Sequence, residues 1–171
     1  MQVELQPTLA GELVTLRPLA DDDWDALYAV ASDPSIWEQH PANDRWREAV
    51  FRAFFREAME SGGALAIIDR TDGRIIGSSR FHGWDAGARE IEIGWTFLAR
   101  SHWGGRYNGE TKALMLAHAF RFADGVIFVI GPDNMRSRRA VEKIGGALAG
   151  RRRDDTGRDS VVYRIGAPSR D

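Results

Sequence analysis

The feature that most constrains this chain is a nine-residue alternation followed at once by a glycine-rich loop. In residues 90–98, Ile91, Ile93, Trp95 and Phe97 share one parity, and Glu90, Glu92, Gly94 and Thr96 share the other. A period of two predicts a strand with one apolar and one polar face. Trp103-Gly104-Gly105-Arg106-Tyr107-Asn108-Gly109-Glu110 comes next, then the helical pattern of Ala113, Leu116, Ala117 and Phe120. Glycine lets backbone approach a ligand closely, and the unpaired N–H groups of a helix start face whatever sits there. Strand, glycine loop and helix N-terminus in this order form a receptor for a diphosphate. An ordinary connection whose glycines only make tight turns has the same composition, so the pattern alone leaves both readings open.

The remaining elements fall on either side of this unit. A short extended run at 13–16 stops at Pro18. Asp21, Asp22 and Asp23 offer an N-cap and an acidic first turn to a helix carrying Trp24, Leu27, Tyr28 and Val30. Asp44 opens a second helix with Val50, Phe51, Phe54, Phe55, Ala58 and Met59, which Gly62-Gly63 stops. The runs 64–70 and 74–81 flank Thr71-Asp72-Gly73, a hairpin signal. A short buried strand at 126–130 breaks at Gly131-Pro132, and a helix over 134–144 ends at Gly145-Gly146. Two extended runs, 147–152 and 160–165, surround Asp155-Thr156-Gly157. The order β-α-α-β-β-β-α-β-α-β-β predicts an α/β (α+β) fold with a mixed, mostly antiparallel twisted sheet of about seven strands flanked by helices. A length of 171 residues suits one domain. Its core runs over about 11–166, with the first ten residues and the C-terminal tail peripheral.

Several classes of function are disfavoured. The chain has no cysteine, so disulfides, thiolate metal sites and a catalytic thiol are excluded. No His-x-x-x-His or His-x-Glu pattern occurs, and no metal is expected. The 23 basic and 25 acidic residues give a net charge of −2, a poor balance for general nucleic-acid binding. No run approaches the ~18 apolar residues of a membrane span. Residues 1–10, with Glu4 and Pro7, lack the apolar core of a signal peptide. The expectation is a cytoplasmic protein without a membrane partner.

Residues 13–18, Glu92-Ile93-Gly94-Trp95, residues 103–110 and residues 134–145 together resemble the GNAT acetyltransferase superfamily. Within it they are most similar to the ribosomal-protein alanine N-acetyltransferase branch, over about 13–165. The resemblance implies a GNAT fold whose sheet splays at an acetyl-CoA site, with acetyl-CoA as cosubstrate. It places Gly104, Gly105, Arg106, Tyr107, Asn108 and Gly109 at the pyrophosphate. Backbone of Phe97 and Leu98, near the strand end, would polarise the acetyl carbonyl. Asn134 would hydrogen-bond the pantetheine arm, and Ser137 lies one turn on. Against the family pattern Q/R-x-x-G-x-G/A, Arg106 and Asn108 replace two small residues, and the Arg106 side chain would either crowd the diphosphate or clamp it. Many members carry a tyrosine that protonates the leaving thiolate where this chain has Val141. Ser137 is the alternative donor, or else a helix N-terminal serine serving only the backbone.

Acyl transfer to an amine needs a neutral nucleophile. A lysine-type amine with pKa ~10.4 is only about 0.1% neutral at pH 7, and a general base contributes ~10²–10⁴-fold. The family places a glutamate on the strand corresponding to 90–98, which makes Glu92 the candidate base; Glu90 shares its parity and is the rival, and both would otherwise be solvated charges. His102 beside the glycine loop and His82 after a strand could line a pocket, whereas His40 precedes Pro41 and His118 lies within a helix. Trp24, Trp46 and Trp95 read as core, and Trp37, Trp84 and Trp103 fall near turns. The cluster Arg136, Arg138, Arg139, Lys143 and Arg151 to Arg153 would bind the CoA 3′-phosphate or ribosomal RNA, or form a solvated face offset by Asp154, Asp155 and Asp159. The resulting expectation is an acetyl-CoA-dependent N-acetyltransferase, monomeric or homodimeric. Its acceptor is an amine of a protein N-terminus or a small molecule, and nucleic acid enters only as part of a ribosomal substrate. The alternatives are a non-catalytic acyl-CoA-binding regulatory module on the same fold and an RNA-binding protein using the arginine cluster.

Overall fold

The structure, a computed structural model, describes residues 2–154 and 156–169, so Asp155 of the last predicted turn lies outside the described residues. Eight strands form one sheet: β1 (Leu9–Ala10), β2 (Val14–Pro18), β3 (Ala64–Asp69), β4 (Ile75–Asp85), β5 (Glu90–Leu98), β6 (Gly125–Ile130), β7 (Ala147–Arg153) and β8 (Asp159–Gly166). The spatial order is β1-β2-β3-β4-β5-β6-β8-β7. Every pairing is antiparallel except β5 with β6. The strand beyond the predicted seven is β1, two residues long at one edge.

Four helices cover the two faces: α1 (Trp24–Ala31), α2 (Glu48–Ser61), α3 (Arg106–Ala119) and α4 (Met135–Lys143). In α2, Phe51, Phe54, Phe55 and Ala58 form the buried stripe, and Gly62 ends the helix at φ 70°. A left-handed residue there is readily supplied by glycine. The helix starts at Glu48 rather than Asp44, because residues 44–47 make a separate turn closed by Arg47 N–H donating to Asp44 O. Asp23 does not cap α1. Its carboxylate instead takes two 2.8 Å bonds from Arg17 and one from Ala20 N–H.

The sheet separates two apolar clusters. One, against α3, holds Leu16, Leu65, Ile67, Phe81, Ile91, Ile93, Leu98 and Met115. The other, against α1 and α2, holds Leu27, Trp37, Phe51, Phe54, Ala66 and Phe97. Strand β5 serves both, contrary to the single apolar face predicted for it. Ser78 pairs with Phe97 and Arg80 with Gly94, so one residue of β4 opposes two of β5. Trp95 stands in this bulge at φ 53°. The extra residue reverses the parity. Trp95 and Phe97 turn towards α2, while Thr96 and Leu98 face α3. A tryptophan at positive φ is strained; its ring is held by the Arg80 guanidinium 4.4 Å from the ring centre and by His82.

Residues 2–10 lie against the rest of the domain. Val3, Leu5 and Leu9 pack on the core, and the Gln6 side chain donates to Ala64 O at 3.0 Å. Glu110, on α3, reaches across to accept from three successive amides, Glu12, Leu13 and Val14, at 2.7–2.8 Å. Gly11 has no Cβ because one would stand 2.5 Å from that carboxylate.

Candidate active site

Strands β5 and β6 pair over three residues only, Glu90 with Gly125, Ile91 with Val126 and Glu92 with Ile127. Beyond Glu92, β6 continues with β8 and β5 turns away into its bulge. The sheet therefore opens as a V, and a cavity of about 620 Å³ occupies the gap. That volume is ordinary for a small-molecule site.

The glycine loop forms one wall. Gly104 and Gly105 sit at φ 117° and 99°, and Gly105 is the N-cap of α3. Residues 106–109 are thus the first turn of the helix and not loop. Gly104, Gly105 and Asn108 line the cavity, together with Phe97, Leu98, Asn134, Ser137 and Glu92. Arg106, Tyr107 and Gly109 lie outside the wall. Arg106 is exposed, Tyr107 meets His102 edge-on at 4.7 Å, and Gly109 N–H donates to Gly105 O. The Arg106 side chain does not line this space. His102, whose Nε2 is 2.8 Å from the buried Asp69 carboxylate, and Trp103 Nε1, bonded to Leu98 O at 2.9 Å, pin the loop to the strands. Arg136 stacks on Trp103 at 3.8 Å.

Asn134 is buried and caps α4, its Oδ1 accepting from Ser137 N–H at 3.4 Å. Ser137 and Val141 face the cavity from successive turns of that helix. Val141 is also packed into the α3-side core.

The two glutamates of β5 part company. Glu90 pairs with Arg164 at 2.5 Å, away from the cavity. Glu92 opens into it, and burial pushes its carboxyl up to about 7 against the pull of Arg152 and Arg80. Loss of hydration disfavours the anion.

Lys112, not among the residues expected from sequence, is 4% exposed and lines the same cavity. Its Nζ donates to Thr96 Oγ1 at 2.6 Å, and Thr96 shares a hydrogen bond with Ser79. Burial brings the amine down to about 7. The available signal was its spacing four residues after Asn108, which puts both on one helix face beneath the loop. Trp37, expected near a turn, is buried and shapes the far wall with His40 and Arg45. His118 is structural, with Nε2 2.7 Å from Glu4 O. The predicted basic cluster is dispersed: Arg138 is engaged by Pro132 O and Tyr163 Oη, and Arg151, Arg152 and Arg153 lie exposed along the edge strand β7. Among the described residues no group of three His, Asp or Glu side chains could hold a metal ion, and no helix is long and apolar enough to cross a membrane.

Residues 14–147 match the sequence model of the acetyltransferase (GNAT) domain. No curated protein matches the chain. Among solved structures, an acetyltransferase of Agrobacterium tumefaciens str. C58 is 26% identical with a TM-score of 0.71, covering 93% of this chain and 94% of that one. A GNAT-family acetyltransferase from Bacillus anthracis superposes with a TM-score of 0.78 at 21% identity, over 94% and 99% of the two chains. RimJ of Mycobacterium smegmatis, solved in complex with CoA-disulfide, does so with a TM-score of 0.71 at 22% identity, over 98% and 90%. At these lower identities the last two speak for the fold.

Proposed function

The chain belongs to the GNAT acetyltransferase family and is an acetyl-CoA-dependent acyltransferase, and we propose that it acetylates a primary amine by direct attack in a ternary complex. The observation that carries this reading is Glu92, a half-buried carboxylate opening onto the same cavity as the glycine loop. A group with pKa about 7 is matched to taking a proton near neutrality. The site also has the features that a long anionic cosubstrate needs. The cradle of Gly104 and Gly105, with the unpaired N–H groups of the first turn of α3 and the Asn108 side chain, would hold the diphosphate of acetyl-CoA. Asn134 and the β5 backbone at Phe97 and Leu98, where pairing with β6 has ended, would hold the pantetheine arm. Acetyl-CoA supplies the activated thioester when bound.

The protein's own part is then proton handling and positioning. Glu92 accepts the proton of the incoming ammonium, which leaves the neutral amine free to attack. Backbone N–H groups of β5 beyond the end of its pairing with β6 would face developing negative charge without reorganising. Ser137, one turn into α4, returns a proton to the departing sulfur in the role that Val141 cannot fill. The acceptor is a protein N-terminus or a small-molecule amine, and the protein works in the cytoplasm. Release of CoA thiol from acetyl-CoA against a panel of amines, with mass spectrometry of the products, tests the reading. Acetylated product from at least one amine is expected. Tight CoA binding without turnover on any amine would instead identify a CoA-binding module.

A further inference from the structure

The acceptor side of the cavity carries a cationic pocket that the chemistry above does not use. The segment between α1 and α2 closes over the V and is fixed there. Pro41 packs where a Cβ on Gly131 would stand, 2.4 Å from its Cγ, and Gln39 Oε1 accepts from Arg136 N–H at 3.2 Å. This anchoring presents His40 and Arg45 to the cavity.

Their hydrogen-bonding roles follow from the backbone. Ala42 N–H donates to His40 Nδ1 at 2.9 Å, so Nδ1 is an acceptor and the neutral ring carries its hydrogen on Nε2. Burial and the neighbouring arginines keep the ring neutral, holding its pKa at about 3. Arg45 Nη1 lies 3.4 Å from Nε2. A guanidinium has no acceptor to offer and Nε2–H none either, so the two donors cannot satisfy each other. They converge on a place for a third atom, an oxygen.

The surroundings favour an anionic oxygen. Arg45 lies 5.6 Å from the Trp37 ring centre and 4.9 Å from that of Phe54, and Arg80 lies 5.5 Å from the same Phe54 ring. Among the described residues neither arginine has a carboxylate within ion-pair distance; Glu57 and Asp44 act on Arg45, and Glu57 and Glu92 on Arg80, only from further away. Arg80 is 4% exposed, with Nε and Nη2 buried and without a hydrogen-bond partner, and Arg158 lines the cavity with Arg45, beside Asp154. Burying guanidinium groups without counter-charge is costly. A ligand anion would supply that counter-charge.

We propose that the acceptor is a small amine bearing a carboxylate or phosphate, whose anionic oxygen seats between His40 and Arg45 while its amine faces Glu92. This rests on the acetyltransferase reading and narrows its acceptor. Polyamines are repelled by the same pocket.

The test compares acceptors that differ only in the anionic group. The arms are an amino acid and its amide, an aminoalkyl phosphate and the corresponding amino alcohol, a polyamine, and a short peptide with a free N-terminus. Wild-type kcat/KM for the anionic member of each pair exceeds that of its neutral partner roughly ten- to a hundred-fold, the range of a charge-assisted bond. Arg45→Met brings that ratio towards one; because the ratio is internal to each protein, partial unfolding does not affect it. Which pair shows the larger ratio separates carboxylate from phosphate. Equal turnover of anionic and neutral amines, preference for the polyamine or peptide, or a ratio unchanged by Arg45→Met would overturn the proposal. A second readout needs no turnover: N-acetylglycine and its methylamide are titrated into the CoA-saturated protein and followed by tryptophan fluorescence. Binding of the acid alone, lost in Arg45→Met, upholds the pocket even if no amine is acetylated, and only the acetyltransferase reading then falls. No binding of the acid together with no anionic preference removes the pocket.

Discussion

Replacing Glu92 by Gln tests the proposed base on two independent scales. Glu92 titrates near 7, so about a tenth is carboxylate at pH 6 and about nine-tenths at pH 8. If the carboxylate strips the proton from a bound ammonium, turnover by Glu92→Gln falls ~10²–10⁴-fold at neutral pH. The ratio of wild-type to variant rates then has a characteristic shape. Below about 7, carboxylate in the wild type and free neutral amine in the variant both grow tenfold per pH unit, so the ratio is level. Above 7 the carboxylate is saturated while the free amine keeps growing, and the ratio declines. The second scale is stability. The folded pKa lies above the unfolded value of ~4.3, so the favourable contribution of the neutral acid is fully present below ~4.3 and lost as pH rises through about 7. Gln stays neutral. Glu92→Gln should therefore melt higher than wild type at pH 8, by ~1–3 kcal/mol or several degrees, and no higher at pH 4. Stopped thiol-release assays and scanning calorimetry across that range read both. Glu90→Gln is the control: its ion pair with Arg164 lies outside the cavity, and turnover there should persist. A Glu92→Gln rate within threefold of wild type, or equal losses at Glu90 and Glu92, would refute the assignment.

Lys112→Met should stabilise the protein at pH 6, by ~1–3 kcal/mol, and progressively less towards pH 10. The amine's pKa is lowered from 10.5 to about 7, so the cost of burying the ammonium is greatest below 7 and vanishes near the unfolded value; thermal melts at the two pH values check the sign. Glu110→Gln keeps the side-chain size but loses the charge that three amides share, and a loss of ~2–3 kcal/mol is expected in urea titration; a change below ~0.5 kcal/mol would show that solvent replaces the carboxylate at little cost.

Elements with a strong local signal were legible. The Asp-Gly turn between β3 and β4, the Phe stripe of α2 and the glycine loop before α3 each follow from short-range sterics and periodicity. What was not legible depended on partners distant in sequence. Alternation over 90–98 predicts one apolar face, and nothing in that window shows that β4 is one residue short opposite Trp95 and Thr96. Asp23 reads as a cap, but Arg17 claims its carboxylate. Glu90 and Glu92 are equivalent by parity and are separated only by Arg164 on β8 and by the end of the β5–β6 pairing. Lys112 lies in a helix of ordinary composition, and its burial appears only once Thr96 has been turned towards it. His40 and Arg45 come from a segment without regular structure, placed by contacts to Gly131 and Arg136.

The carboxylate that holds Glu12, Leu13 and Val14 also makes the turn between β1 and β2 a reporter for the first turns of α3. Turns beside a sheet edge ordinarily exchange their amide hydrogens early, through local fraying. Here three consecutive amides cannot meet solvent until Glu110 lets go, and Glu110 sits one turn after Arg106, in the helix whose first turn follows Gly104 and Gly105. Fraying of this turn and release of the Glu110 side chain are thus one opening event rather than two. Deuterium uptake at 12–14 consequently reads the release of Glu110, and whatever holds that side chain more firmly on its helix will slow exchange at the turn.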